Sequence, residues 1–358
     1  MQPALLLNGI ASLAQCSAIA ACGPNNKTVK SPDRNEILTI LLLPVCFEHM
    51  TIAVAQMLHI FFQPVKRSGT NHDCGSFLHI TIDRNTELMD NTRVTTALSE
   101  LRLSAQQIDE FFATGWITAK ALFNADEVAK IRSCFDDLEQ IAADIEETGL
   151  QHGSHFVLGE KDRQKVIKRV VWAGGSQPYL LQIGADRRLT LPCSQLLGSD
   201  VLEQLLSQAH FKRPNDGVIF GWHQDIQHRD KGPGTWDDIN GRGSFVQTLI
   251  VLDEMTADSG PLLFIPGSSQ WGRVDFGAHE YDDPDYTPRK PPQFHDKDAV
   301  TIAAQPGDTL FFGPYTAHAS FENTSQHYRR VLINGYASPG ANHRVYPGEG
   351  SCREIVVD

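Results

Sequence analysis

Beyond about residue 200 the chain is written in short apolar runs separated by Gly, Pro and Asp. They are Gly217–Trp222, Ser244–Leu252, Pro261–Ile265, Asp308–Phe312 and Arg329–Ala337. Val, Ile, Phe and Leu dominate them, so they predict short strands of an antiparallel sandwich or barrel. Two connections, His228–Gly243 and Arg273–Asp298, are long and polar. Loops of that length are commonly functional lids or disordered, and the second is expected to act as a lid or substrate loop. A helical stretch precedes the strands. Ile108, Phe111 and Phe112 predict a short helix stopping near Gly115, followed by the apolar step Trp116–Ile117. Asn124 then stands three residues before Glu127, the spacing of a capping box. Behind it Val128, Ile131, Phe135, Leu138, Ile141 and Ile145 recur at three- and four-residue spacing, predicting an amphipathic helix that runs up to Gly149.

The first quarter of the chain has no such rhythm. Its basic residues (Lys27, Lys30, Arg34, Lys66, Arg67, Arg84) balance its acidic ones across residues 1–88, so the whole net charge of −12 lies in residues 89–358. The apolar run from Leu38 to Phe62 is interrupted by Pro44, Glu48, His49, Gln56 and His59, and a charge in mid-span is costly. Stable membrane insertion is therefore not expected. The Ala4–Ile10 stretch lacks the basic flank of a signal peptide. Residues 1–88 read as an extension, poorly ordered or outside the mature fold, and residues 89–358 as the folded domain. The acidic balance argues against a nucleic-acid partner, since phosphate binding needs a basic footprint. With 41% hydrophobic and 21% charged residues, the composition excludes collagen, coiled coil and polytopic membrane protein. Seven cysteines without a C-x-x-C pair suit a reducing, cytoplasmic setting.

The chemistry centres on His223-Gln224-Asp225. On a strand, residues i and i+2 share a face, so an imidazole and a carboxylate there can meet one metal. With 14 histidines, roughly one H-x-D is expected by chance, and His228-Arg229-Asp230 is a second. Context separates them: His223 ends the apolar run Val218–Trp222, whereas His228 stands among charged residues, Gly and Pro and reads as a solvated loop. Taken alone, His223 is as well explained as a hydrogen-bonded core histidine. Farther on come a Pro306–Asp308 turn, a short buried strand, then His318, Ser320 and Arg329. Two histidines and a carboxylate form the facial triad of non-haem Fe(II) oxygenases, although such a donor set does not by itself exclude zinc.

In order along the chain stand Trp222-His223-Gln224-Asp225, Leu252-Asp253, Ser259-Gly260-Pro261-Leu262, Ile265-Pro266-Gly267-Ser268, Gly307-Asp308 and His318-Ala319-Ser320, with Arg329 eleven residues after His318. Over roughly residues 104–338 this set resembles the phytanoyl-CoA dioxygenase family of Fe(II)/2-oxoglutarate-dependent oxygenases, which includes ectoine hydroxylases. The resemblance implies a mainly β fold with flanking helices, whose core is a double-stranded β-helix (jelly-roll, cupin-like). It implies Fe(II) held by His223, Asp225 and His318, and 2-oxoglutarate anchored by Arg329 with Ser320 as a second donor. O2 is the remaining co-substrate. Family spacing selects Arg329 over Arg330, a choice periodicity leaves open because both strand faces carry apolar residues. A buried guanidinium offers a carboxylate a bidentate fork. The family often has histidine after Pro-Gly-Ser, where this chain has Ser269, and altered loop packing is expected there. Related halogenases lack the triad carboxylate, so Asp225 favours hydroxylation.

The function implied is hydroxylation of an unactivated C–H bond of a small-molecule substrate, with release of succinate and CO2. Desaturation, epimerisation or ring closure by the same chemistry is the alternative within the enzyme class, and a non-catalytic jelly-roll binding module is the alternative outside it. Trp222 and Trp271 read as packing residues. Lys212-Arg213 reads as a solvated pair of cations, and Cys134 and Cys193 have no histidine partner at a recognisable spacing.

Overall fold

The computed structural model describes residues 101–277 and 289–357. The extension expected over residues 1–88, with its Leu38–Phe62 run, lies outside the described residues, as does the middle of the Arg273–Asp298 connection. Among the described residues, no helix is long and apolar enough to cross a membrane.

Two helices open the described chain. Helix α1 (Ala105–Thr114) is capped by a reciprocal Ser104–Gln107 box and closed by Gly115 at φ 103. Strand β1 (Trp116–Ala119) follows, then α2 (Ala125–Ala143), whose Asn124–Glu127 box forms as the spacing predicts. Helix α2 stops six residues short of Gly149. The residues beyond it include Asp144, Glu146 and Glu147, and negative charge at a helix C-terminus opposes the macrodipole. Next come β2 (Gly149–Gln151), β3 (Ser154–Lys161) and β4 (Gln164–Val171), and then two helices, α3 (Pro178–Gly184) and α4 (Arg187–Leu197).

From β5 (Val201–His210) the strands alternate between two antiparallel sheets. β5, β7 (Phe245–Val251), β10 (Thr309–Phe312) and β12 (Val331–Ala337) enter the larger sheet, whose order is β1-β10-β7-β12-β5-β4-β3-β2. A last strand, β13 (Arg353–Val356), pairs with the first half of β5. The smaller sheet takes the intervening strands in the order β6-β11-β8-β9, with β6 Phe220–His223, β11 His318–Ser320, β8 Leu262–Phe264 and β9 Val300–Thr301. This alternation makes a double-stranded β-helix.

The larger sheet is buried on both faces, which is why β7 and β12 have no exposed residue. One face, with Val246, Ile250, Phe311, Leu332 and Tyr336, joins the cluster that includes Ile131, Phe135 and Leu138 of α2 and Leu189 of α4. The other, with Leu249, Leu310, Phe312, Val331 and Ile333, meets Leu262 and Phe264 of the smaller sheet. The second cluster fills part of the space between the sheets. The rest is a cavity of about 630 Å³.

Candidate active site

Strands β6 and β11 run antiparallel with His223 opposite His318 and Phe220 opposite Ser320. Three residue steps on β6 thus face two on β11, a bulge at Gly221–Trp222. The extra residue turns both Phe220 and His223 to the cavity. Trp222 takes part instead in the cluster of Phe276 and Phe294, its ring 4.9 Å from Phe294 and inclined to it by 67°.

Asp225 reaches the site by a route other than the shared strand face. The strand ends at His223, and Asp225 adopts helical angles (φ −59, ψ −25) as the cap of a one-turn helix, α5 (Ile226–Arg229). Gln224 is fully buried and fixes this corner. Its amide donates to the carbonyls of Gly272 and Tyr315, and its oxygen accepts from the Val274 N–H. The corner is therefore locked from behind, with the carboxylate turned forward.

His223 Nε2 and His318 Nε2 lie 3.9 and 4.0 Å from Asp225 Oδ1, and one donor atom from each residue falls within 4.8 Å of the others. All three residues are buried. His223 Nδ1 is 2.7 Å from the Gly221 carbonyl and His318 Nδ1 is 2.9 Å from that of Thr316. A carbonyl only accepts, so each Nδ1 carries the proton and each Nε2 presents a lone pair to the same point. Asp225 Oδ2 is buried without a hydrogen-bond partner. A buried carboxylate with Oδ1 near two imidazole lone pairs and Oδ2 without a partner is costly unless a cation completes the group, so the three residues fit a metal ion.

Farther along the cavity Arg329 is 2% exposed. It shares the inward face of Val331 and Ile333, while Leu332 and Tyr336 pack toward the helices. Its Nε donates to the Gly260 carbonyl at 3.0 Å and its Nη2 to Ser320 Oγ at 2.7 Å, and that hydroxyl donates to Gly260 as well. Nη1 bonds to no described residue, which leaves donor capacity for a ligand. Burial lowers the pKa of this guanidinium to about 10, with Asp216 and Asp253 opposing the shift, so it stays charged at neutral pH. Gly260 sits at φ 69, where a Cβ would come within 2.5 Å of the Phe321 carbonyl. Only glycine suits that position. Arg330, by contrast, forms a fork with Asp253 at 2.9 and 3.1 Å and also bonds Asp136.

Lys212 differs from its sequence expectation. It is fully buried rather than solvated, its Nζ donating to the carbonyls of Ser320, at 2.8 Å, and Phe321. Burial, and then Arg329, pushes its pKa well down. The exposed-looking Lys212-Arg213-Pro214 triplet concealed this, because a lysine stem can bury in apolar surroundings. His210, which no sequence pattern marks, also lines the cavity and stacks on Phe220. Burial and the cations Arg169, Arg329 and Lys212 hold it neutral.

His228 is likewise half-buried rather than solvated. The turn of α5 brings its ring edge-on to that of His223, with centroids 5.6 Å apart, and it lines the cavity outside the three-donor cluster. Asp230 pairs with Arg273. Trp271 packs beside Phe276 and Ile265, Ser269 Oγ is buried without a partner, and Cys134 and Cys193 are buried free thiols. Asp308 braces the fold, accepting from Lys120 and from the backbone N–H groups of Ala121 and Gln305.

Residues 112–331 match the family description phytanoyl-CoA dioxygenase (PhyH). The chain belongs to that family. The match ends on Val331, two residues beyond Arg329. Curated relatives include the ectoine dioxygenase of Sphingopyxis alaskensis, 27% identical over 46% of this chain and 50% of that protein. The L-proline trans-4-hydroxylase of Streptomyces griseoviridis is 26% identical over 62% of this chain and 82% of that one. The chain thus spans half of the first relative and most of the second. Among solved structures, EctD from S. alaskensis with bound Fe superposes with a TM-score of 0.51 at 22% identity, over 68% of this chain and 80% of that chain. That likeness supports the double-stranded β-helix.

Proposed function

We propose that this chain is an Fe(II)- and 2-oxoglutarate-dependent hydroxylase acting on an unactivated C–H bond of a small molecule. The observation that carries the proposal is the buried Asp225 Oδ2 without a partner, set beside two histidines whose Nδ1 protons are already committed. Such a group is completed by a divalent ion, and two imidazoles with one carboxylate leave open positions for further ligands. When bound, the iron would activate O2 at the expense of 2-oxoglutarate, which leaves as succinate and CO2.

The protein's own contributions follow from its residues. His223, Asp225 and His318 would hold the ion. Arg329, positioned by Gly260 and Ser320, would grip the distal carboxylate of 2-oxoglutarate through its remaining donors. Its burial strengthens that contact and keeps water from competing. Leu249, Leu262, Phe312 and Val331 line the same cavity and would shield the reacting centre. The presence of Asp225 supports hydroxylation over halogenation, since the carboxylate occupies the position a halide would need. Anaerobic titration with Fe(II) and 2-oxoglutarate tests the reading. A visible metal-to-ligand band should appear only with both, and admission of O2 with a turned-over substrate should release succinate stoichiometrically. Absence of the band at saturating concentrations would refute it.

A further inference from the structure

Arg329 is not the only buried cation in the cavity. Arg229, the last residue of α5, lines it four residues after Asp225 and is 4% exposed. Its Nη1 donates to the Tyr346 hydroxyl at 2.7 Å, and its guanidinium lies 4.8 Å from the Phe245 ring and 5.3 Å from that of Tyr346. Its Nε is buried without a partner. Arg344 also lies over Tyr346, 5.4 Å from the ring centroid, with Nη1 on the carbonyls of His228 and Arg229. Neither arginine forms an ion pair with any described carboxylate. The Tyr346 hydroxyl, which accepts from Arg229, has no described acceptor for its own proton.

A buried guanidinium without a counter-ion is costly, and aromatic faces offset only part of that cost. In a domain that carries the whole −12 charge of the chain, two arginines that pair with no carboxylate among the described residues, at one end of a cavity, call for an anionic ligand. That ligand is not 2-oxoglutarate held at both ends. Phe245, beneath Arg229, pairs with Ala337 at one end of β12, whereas Arg329 lies two residues before Val331 at the other. At about 3.3 Å per residue the two positions are roughly 25 Å apart along the strand. The donor cluster and Arg229 are instead joined by a single helical turn, the Arg229 N–H bonding the Asp225 carbonyl at 3.2 Å.

We infer that Arg229, Tyr346 and Arg344 form an oxyanion subsite that grips a carboxylate or phosphoryl group of the substrate to be oxidised. The inference deepens the proposed function and rests on the cavity being its active site. It makes the substrate a small anion whose charged end is anchored next to α5, with the C–H bond toward His223 and His318.

The test uses the full chain, loaded anaerobically with Fe(II) and saturating 2-oxoglutarate so that Arg329 is occupied. Calorimetric titration is run with inorganic phosphate and with acetate, against the uncharged trimethyl phosphate and acetamide. One or both anions should bind and the neutral compounds should not, the preferred anion separating phosphoryl from carboxylate substrates. Arg229→Gln should weaken anion binding at least tenfold, Arg229→Lys by only a few-fold, and Arg344→Gln to an intermediate degree. The Fe(II)–2-oxoglutarate band, recorded on each sample, reports intact folding. If Arg229→Gln loses the band, Arg344→Gln carries the decision. Equal binding of charged and neutral probes, no binding of either anion, or unchanged anion affinity in Arg229→Gln and Arg344→Gln would overturn the inference. If the wild type forms no band, the proposed function fails separately, and the same titrations on metal-free protein still decide the subsite.

Discussion

His223 and His318 stand directly opposite each other across the antiparallel β6–β11 pair, with ring centroids 4.2 Å apart. Side chains alternate along a strand, so a one-residue slip of β11 would replace His318 by a neighbour and turn the imidazole away. Register, more than composition, makes this site. It is held on the far side by Ser268, whose hydroxyl donates to the Ile265 carbonyl at 2.6 Å and accepts from the Ala317 N–H at 2.8 Å.

Ser268→Ala leaves that buried N–H without its partner just before His318. A loss of about 1–3 kcal/mol is expected for an unsatisfied buried donor. Chemical denaturation should report that loss, and iron affinity should fall alongside it. Unchanged stability would show that Ser268 does not hold the strand.

Arg329→Gln should raise the 2-oxoglutarate concentration needed for half-saturation by roughly 10- to 100-fold. Hydrogen bonds to charged groups contribute about 1.5–3 kcal/mol, and each 1.4 kcal/mol is about tenfold. Fe(II) binding, measured as metal content without co-substrate, should change little. Arg330→Gln should leave both nearly unaltered, because that side chain is committed to Asp253 and Asp136.

Glu127 provides a pH-dependent contribution to stability. Its fork with Arg188, at 2.7 and 3.0 Å, and its bond from the Asn124 N–H lower its pKa below the usual 4.5. The depressed value means the stabilisation is fully present above about pH 4.5 and is lost as pH falls through the lower folded-state value. Glu127→Gln keeps an acceptor for the cap but removes the charge. Its stability should be lower by about 0.5–1 kcal/mol at neutral pH. The difference from wild type should vanish in acid, as followed by denaturation from pH 7 to pH 3.

The sequence carried the five strand runs between Gly217 and Ala337 and the capped helix α2, because apolar runs and capping boxes are local signals. It concealed β3 and β4, whose two-residue turn, Asp162-Arg163, takes positive φ at both positions without a glycine to announce it. It also concealed β5, where buried Gln204 and Ser207 break the alternation. Gln204 is satisfied by the Leu206 carbonyl and by Asn334 across the sheet, contacts that no local pattern contains. At the site, the H-x-D spacing was legible but its geometry was not. Asp225 arrives by a helical corner, and the bulge in β6 reorders the strand that feeds His223. The burial of Lys212, Arg229 and His228 depended on long-range packing and left no trace in periodicity.

The central claim is that His223, Asp225 and His318 are the metal-binding group while His228, one helical turn away, is not. Its most direct test is the iron content and the visible Fe(II)–2-oxoglutarate band of the single alanine variants, prepared anaerobically. His223→Ala, Asp225→Ala and His318→Ala should each lose the band and at least ten-fold in iron affinity, and the two histidine variants should lose more than the ~10–100-fold typical of outer-shell changes. His228→Ala should keep both. Retention of iron and band by His223→Ala, or their loss in His228→Ala, would contradict the account.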